Sequence, residues 1–155
     1  MKNNAAVLDT RKLMTGKDGR VFLEFDGVQY FYAEVDTFNV NMNVTNVDVQ
    51  PVGSILQFAV NTGVSYVVTM SEMVVRDDLI AQPIQEKIAE GKMPTFTFQA
   101  GADRWDGQEQ RVVLRNCTPD GTIGILNLVP GEVIKREMSF RINDIPEWLK
   151  TLTYE

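Results

Sequence analysis

The 155-residue sequence contains no histidine, a single cysteine and fewer basic than acidic residues. Without histidine, the chain lacks the commonest general base, the commonest neutral metal ligand and the base of every histidine-dependent triad. The single cysteine, Cys117, has no partner for an intramolecular disulfide and no imidazole to activate its thiol. We therefore expect no catalytic residues, no cofactor and no metal site, and a protein that is not an enzyme.

Positive charge is scarce, since 15 lysines and arginines face 21 aspartates and glutamates, which gives a net charge of −6. A surface this acidic repels nucleic acid, because neutralisation of phosphates supplies most of the non-specific affinity. Long hydrophobic runs are also absent, and no window approaches the length of a membrane span. The apolar run at residues 5–8 is too short for a signal-peptide core, so we expect a reducing, aqueous compartment.

The residues that are present suit a globular domain, because 44% are hydrophobic and 23% are charged. A domain of this length buries a sizeable core without disulfides. We expect a single β domain over residues 16–155. The polar and aperiodic residues 1–15 are predicted to form an N-terminal arm.

Alternation of apolar and polar residues predicts three strands near the start, at residues 20–26, 28–35 and 38–49, with Asp26 and Gly27 as a hairpin turn. The third strand has one apolar face, formed by Phe38, Val40, Met42 and Val44. Its opposite face carries Asn39, Asn41, Asn43 and Thr45. Uncharged amides suit a sheet that a neighbouring chain completes, although a hairpin whose edges are covered within its own sandwich explains them as well.

The remaining residues predict one helix between further strands. We expect a short strand at residues 54–60, a turn at Asn61, Thr62 and Gly63, and a long strand at residues 64–75. Residues 76–91 have helical periodicity, with Asp77 and Asp78 at the N-cap and Gly91 at the end. Later strands are predicted at residues 94–100, 109–116, 122–128 and 132–142, before a closing segment at 145–152 anchored by Trp148. This order predicts an α+β domain that is mainly antiparallel sheet.

Two groups of residues leave other functions open. Asp103 and Asp106 loosely match a calcium loop, but the ligand spacing and the terminal glutamate are missing. The first predicted hairpin is rich in aromatic side chains that could stack on a ligand, namely Phe22, Phe25, Tyr30, Phe31 and Tyr32. A soluble β-sandwich that binds sugar or peptide is therefore an alternative function.

The succession of segments resembles one family. The hairpin TGKDGRVFLEFDGVQ, the helix ending in EGK, and the strands PTFTFQA, QRVVLRN and RINDIPEWL resemble, in this order, the tail tube proteins of contractile-tailed phages, related defective prophages and tailocins. The resemblance covers residues 14–149. It implies a small β-barrel or sandwich with one flanking helix, six copies of which assemble into a hexameric ring with a continuous inner β-barrel.

The resemblance also implies the function and the partners. Stacked rings form the hollow tail tube of a virion, made in the host bacterial cytoplasm, through which DNA or an effector passes. The expected partners are further copies of the chain, the tail sheath protein, the baseplate and tail terminator proteins and, transiently in the lumen, the tape measure protein and DNA, with no membrane. The tube of a type VI-like or tailocin injection system is an alternative within the same fold.

The resemblance assigns roles to residues of the long strands. It implies that the strands at residues 38–49 and 64–75 belong to the inner barrel, with Asn39, Asn41, Asn43 and Thr45 facing the lumen. The hairpin at residues 50–63 and the N-terminal arm would reach neighbouring subunits. The inter-subunit residues of this hairpin would be Val52, Ile55, Leu56, Phe58 and Val60.

Overall fold

The computed structural model describes residues 13–25, 27–32, 35–74, 77–78 and 80–153. The 3-10 turn Gly16–Asp18 precedes the first strand. In the described part of the chain, one helix and eight strands follow: β1 Gly19–Phe25, β2 Val28–Phe31, β3 Val35–Val49, β4 Phe58–Met73, α1 Ala81–Ala89, β5 Phe96–Asp103, β6 Glu109–Pro119, β7 Lys135–Ile142 and β8 Glu147–Lys150. The strand pairings are antiparallel, which confirms the predicted mainly antiparallel α+β class. Several predictions lie outside the described residues: arm residues 1–12, Asp26 of the turn, Val75 of the long strand, and Arg76 and Leu79 before the helix.

The strands form one sheet in the order β2-β1-β5-β6-β7-β4-β3, and β8 pairs with β6 beside this path. Strand β6 divides the sheet, because its residues 111–113 pair with β8 whereas its residues 117–119 pair with β7. One half is therefore β2-β1-β5-β6-β8, and the other is β6-β7-β4-β3. The end strands β2 and β3 do not pair with each other, so the sheet is open in the single chain.

The core lies where the two halves face each other. Phe98 of β5 is fully buried, and its ring centroid lies 5.3 Å from that of Phe140 in β7 and 5.9 Å from that of Phe38 in β3. The start of α1 covers one side with Ile80 and Ile84. The other buried side chains of this cluster come from both halves of the sheet and from the segment after β2: Leu23, Tyr32, Val68, Met70, Phe96, Leu114, Cys117, Met138 and Ile142.

Two predicted elements, a turn and a strand, do not form. The turn predicted at residues 61–63 does not form, because β4 continues through it and pairs with β3 on both sides. The strand predicted at residues 122–128 is absent, and the segment is irregular. It follows the edge of β7 only briefly, through N–H bonds from Asp120 to the Ser139 carbonyl (3.0 Å) and from Gly124 to the Glu137 carbonyl (2.8 Å).

The helix ends as predicted but begins differently. Its N-cap is Ile80, with no side-chain cap bond, so the prediction that Asp77 and Asp78 supply the cap is wrong. Pro83 lies in the first turn, where a missing backbone donor costs nothing. At the C-terminus, Gly91 has a φ of 79°, and the Lys92 N–H donates to the carbonyl of Lys87 at 2.9 Å. This is the glycine-dependent termination that the sequence predicts.

Candidate assembly interface

Strands β3 and β4 form one long two-stranded hairpin, which we call the ribbon. Its pairing extends from Val35 opposite Glu72 to Val49 opposite Phe58. At the usual rise of a strand, the 15 residues of β3 span about 50 Å. The base of the ribbon joins the core, where Val68 and Met70 are buried and Phe38 packs on Phe98. Beyond that base the ribbon projects from the sandwich with its apolar side chains exposed.

The outer end of the ribbon, residues 50–57, is held by its own hydrogen bonds. Gly53 has a φ of 84°, which favours glycine, and the Ser54 N–H donates to the carbonyl of Pro51 at 3.1 Å. The Leu56 N–H donates to the Ser54 Oγ at 3.1 Å, and the Gln50 side-chain amide donates to the Ser54 carbonyl at 2.8 Å. The tip therefore has a defined shape without cover from the other residues that the structure describes.

The residues predicted to contact other subunits lie at this tip and just below it. Val52, Ile55, Leu56, Phe58 and Val60 are all exposed, and Val52 and Ile55 are almost fully so. Exposed large apolar residues that project together are a common sign of a protein–protein contact. Their contact with other subunits stays a prediction.

The residues predicted to face the lumen share one exposed face, which we call the polar face: Asn39, Asn41, Asn43 and Thr45. Their partners on β4 are Thr69, Val67, Ser65 and Gly63. Strand β7 adds Ser139 and Arg141 opposite Thr69 and Val67. The polar face is thus rich in amides and hydroxyls and poor in charge, although its orientation towards a lumen stays a prediction.

A 15-residue loop, residues 120–134, borders the same side of the sheet at the base of the ribbon. Between this loop and the strands lies an open groove of about 1080 Å³ whose lining includes Thr37, Ser71, Ser139 and Asn127. The loop also exposes several large apolar side chains: Ile125, Leu126, Leu128, Val129, Val133 and Ile134. The prediction of a strand at residues 122–128 missed this exposed surface, because alternation of apolar and polar residues also fits an unpaired extended segment.

A buried ion pair lies at the end of the core that is farther from the tip of the ribbon. Glu72 and Arg136 face each other across β4 and β7, are both nearly inaccessible, and form an ion pair of 2.8 Å. Arg136 also contacts the exposed Asp77 at 2.7 Å, and the Tyr32 hydroxyl donates to Glu72. Burial raises the pKa of Glu72, and the Arg136 charge opposes this effect only in part. No local pattern in the sequence indicates this pair, since its members are 64 positions apart and belong to different strands.

The residues considered for chemistry have structural partners instead. Asp106 accepts two bonds from Arg104, at 2.9 and 2.8 Å, which lowers the pKa of the Asp106 carboxyl. Asp103 forms an ion pair with Arg20. Burial raises the pKa of the Cys117 thiol to about 12, so at neutral pH it is an inert core side chain. Among the residues that the structure describes, no cluster of acidic or cysteine side chains could hold a metal ion.

The aromatic residues of the first hairpin do not form one platform. Phe25 packs on Phe96 with ring centroids 5.2 Å apart, and Tyr32 is buried in the core. Phe22 and Phe31 contact each other at 5.4 Å, with Phe31 half exposed. Packing therefore accounts for most of the cluster that suggested a binding module.

An apolar cleft was not predicted. It opens between the two halves of the sheet beyond the contact of Phe38 with Phe98, has a volume of about 510 Å³, and is bordered by Trp148. The prediction that Trp148 anchors the closing segment is wrong, because its side chain is 54% exposed at the mouth of this cleft. The signal in the sequence was a tryptophan in a C-terminal strand. The sequence does not distinguish a tryptophan at the rim of a cleft from one in the core.

No helix in the described part of the chain is long and apolar enough to span a membrane.

Comparison with solved structures supports the fold. The chain is similar to one in an extended sheath–tube complex of a PVC extracellular contractile injection system, with a TM-score of 0.63, 11% identity, and coverage of 90% of this chain and 93% of that one. It is also similar to a chain of the anti-feeding prophage baseplate, with a TM-score of 0.61, 10% identity, and coverage of 85% and 92%. A chain in the tail of an empty gene transfer agent particle with C6 symmetry gives a TM-score of 0.60, 15% identity, and coverage of 88% and 98%.

Sequence comparisons give the family. A search among curated proteins finds no match. The family model described as a phage tail tube protein matches residues 6–147, which is most of the chain. Because that match extends from residue 6 to the start of β8, the chain belongs to the phage tail tube protein family, and its role is that of a structural component of a tube.

Proposed function

We propose that six copies of this chain form a ring, and that stacked rings form the hollow tail tube of a phage or phage-like particle. The ribbon is the observation that carries the proposal. Its two strands project with exposed apolar side chains, and its edge strand β3 pairs only with β4 in the described structure. An edge of 15 residues with little charge invites pairing with another chain. Pairing between neighbouring copies removes that edge and closes a barrel around the bore.

The polar face is the proposed wall of the bore. Asn39, Asn41, Asn43 and Thr45 are exposed and uncharged, and the chain as a whole carries a net charge of −6. Such a wall offers few cations to phosphates, so DNA moves along it without being held. The mechanism is therefore assembly of a conduit and not catalysis, which makes the protein a structural one without enzymatic activity.

The proposed partners follow from the assemblies in which similar folds occur. Similar chains occur in a sheath–tube complex, in a baseplate and in a tube terminating cap. We propose that sheath, baseplate and terminator proteins contact this tube, and that the tape measure protein and DNA occupy its lumen transiently. The protein is then located in the virion tail, after its synthesis in the cytoplasm of the host bacterium. An injection system that carries an effector instead of DNA is the alternative, and the cargo recovered from particles separates the two.

Negative-stain electron microscopy of the purified protein, together with size-exclusion chromatography, tests the proposal. We expect rings or tubes with a central channel, formed spontaneously or on a baseplate. Deleting tip residues 51–56 removes exposed apolar residues while sparing both strands, so the domain is expected to stay folded and to lose polymerisation. A monomer that neither assembles nor extends a baseplate-bound tube would contradict the proposed function.

A further inference from the structure

The ribbon changes its apolar face at an irregularity near its middle. Thr45 lies opposite Gly63, and the next residue, Asn46, lies opposite Asn61. Thr62 is therefore an extra residue in β4, and its hydroxyl donates to the Thr45 carbonyl at 3.1 Å. An extra residue of this kind is a β-bulge, and it reverses the face to which the following residues of its strand point.

The two strands change face together. Below the bulge, Val40, Met42 and Val44 of β3 pair with Val68, Tyr66 and Val64 of β4 on the core-facing side. Above it, two apolar pairs lie on the opposite side, the side of the polar face; we call these four residues the distal quartet: Val47, Val49, Phe58 and Val60. On β3 the change comes from the successive polar residues Thr45 and Asn46, and on β4 it comes from the bulge alone. The exposed fractions of the distal quartet are between 47% and 52%.

The apolar cleft is the complementary surface. Its lining contains no charged side chain, and its main apolar residues are Val40, Met42, Tyr66, Val112, Ile145 and Trp148. Met42 and Trp148 are each more than half exposed, so none of the described residues fills the cleft. In residues 46–61 the only charge is Asp48, which lies on the ribbon face opposite the distal quartet. The two surfaces therefore match in polarity and in the absence of charge.

The distal quartet cannot reach the cleft of its own chain. It lies on the other face of the ribbon, and the seven positions from Met42 to Val49 correspond to about 20 Å along a strand. Contact between two different surfaces of identical chains is heterologous, and such contacts repeat from copy to copy. We infer that the distal quartet of one copy occupies the apolar cleft of a second copy, which links successive copies along the tube. This inference rests on the proposed function and adds its receiving site.

Disulfide trapping tests the contact directly. One variant carries Val60→Cys, a second carries Met42→Cys, and the two are mixed before assembly and oxidised within tubes. The native Cys117 is buried and does not compete, since its side chain is fully inaccessible. We expect a crosslinked dimer in the mixed sample and none when either variant assembles alone, because a disulfide requires the two Cβ atoms within about 4.5 Å. Phe58→Cys is a second donor variant if Val60→Cys impairs assembly.

A matched control uses the other face of the ribbon at the same level. Asn61→Cys lies next to Val60 and points away from the distal quartet, so its mixture with Met42→Cys is expected to stay uncrosslinked. Intact tubes in which neither Val60→Cys nor Phe58→Cys links to Met42→Cys would overturn the inference while leaving the proposed function in place. A link between Met42→Cys and Val7→Cys within one chain would identify the N-terminal arm as the occupant and would also overturn it. Absence of tubes from the unmodified protein would instead count against both the inference and the proposed function.

Discussion

The core end of the sandwich and the outer half of the ribbon use the same residue types for opposite purposes. Phe98 and Val68 are fully buried among aromatic and aliphatic neighbours, whereas Phe58 and Val60, on the same strand as Val68, are half exposed. Burial of apolar side chains at the core end stabilises the single chain. In the ribbon the same side chains contribute nothing comparable until another surface covers them. Hydrophobicity thus identifies what will be buried, but not whether the same chain buries it.

The ribbon also depends on the core for its own order. A two-stranded hairpin without packing is at best marginally stable in water, so the pairing of β4 with β7 at the base of the ribbon must support the rest. Substitutions in the two regions should therefore separate stability of the subunit from assembly.

The largest loss of stability is expected at the aromatic contact of the core. Phe98→Ala removes a ring that lies within 5.3 to 6.4 Å of three other aromatic rings. A buried phenylalanine replaced by alanine costs about 3–5 kcal/mol, which should be seen in the denaturant midpoint of the unassembled subunit. Phe58→Ala in the ribbon is the matched control and should change that midpoint by about 0.5 kcal/mol or less. Equal losses in both variants would show that the ribbon is part of the folding core.

A loss of similar size is expected when Glu72 is left without its cation. Arg136→Gln keeps the buried carboxylate and removes its partner, which costs about 3–5 kcal/mol at neutral pH. Lowering the pH should recover part of this loss, because protonation neutralises Glu72. Asp77→Asn removes the exposed partner of Arg136 and should cost about 1 kcal/mol or less. A loss that does not depend on pH would assign the effect of Arg136→Gln to packing.

Because the pKa of Glu72 is raised, removing its carboxyl group in Glu72→Gln should change the pH dependence of stability. Because burial places the folded pKa above the unfolded one, the folded chain binds this proton more tightly. The contribution of Glu72 to the free energy of unfolding is therefore fully present below the unfolded pKa and is lost as the pH rises through the folded pKa. Glu72→Gln lacks this titration, so its stability relative to the unmodified chain should increase across that range and then stay constant. Denaturant titrations at a series of pH values measure this difference in stability. A stability of Glu72→Gln that decreases relative to the unmodified chain as the pH rises would contradict the raised pKa.

Substitutions in the distal quartet should have a smaller effect on the stability of the subunit but should abolish assembly. Val47→Thr with Val60→Thr replaces one cross-strand pair by residues that keep β propensity and add polarity. The melting temperature of the subunit should barely change, whereas electron microscopy should show no tubes. Asn46→Thr with Asn61→Thr alters the adjacent pair on the other face and should leave tubes unaffected. Loss of tubes in both double variants would indicate a general defect in the ribbon and not a contact of one face.

Much of this fold could be predicted from the sequence, because period-two patterns and turn residues are local. The end of α1 at Gly91 and the long strand β3 are both of this kind. The turn predicted at Asn61, Thr62 and Gly63 failed because turn-forming residues also suit a bulge, and only the pairing with β3 distinguishes them. The buried pair of Glu72 and Arg136 and the cleft at Trp148 depend on contacts between distant strands. Those contacts leave no local pattern in one sequence.

The smallest effect on the protein itself is expected on the polar face. Asn41→Lys with Asn43→Lys adds two cations where side chains are exposed, so subunit stability and tube formation should stay within the range of ordinary surface substitutions, about 0.5 kcal/mol. If this face lines the bore, the cations will hold phosphates, and DNA ejection from particles should slow in a way that added salt relieves. Asn41→Gln with Asn43→Gln keeps the amides and is the matched control for size. Slow ejection without salt dependence would indicate a narrowed bore, whereas loss of tubes in the lysine variant alone would place these two asparagines in a contact between copies and the bore elsewhere.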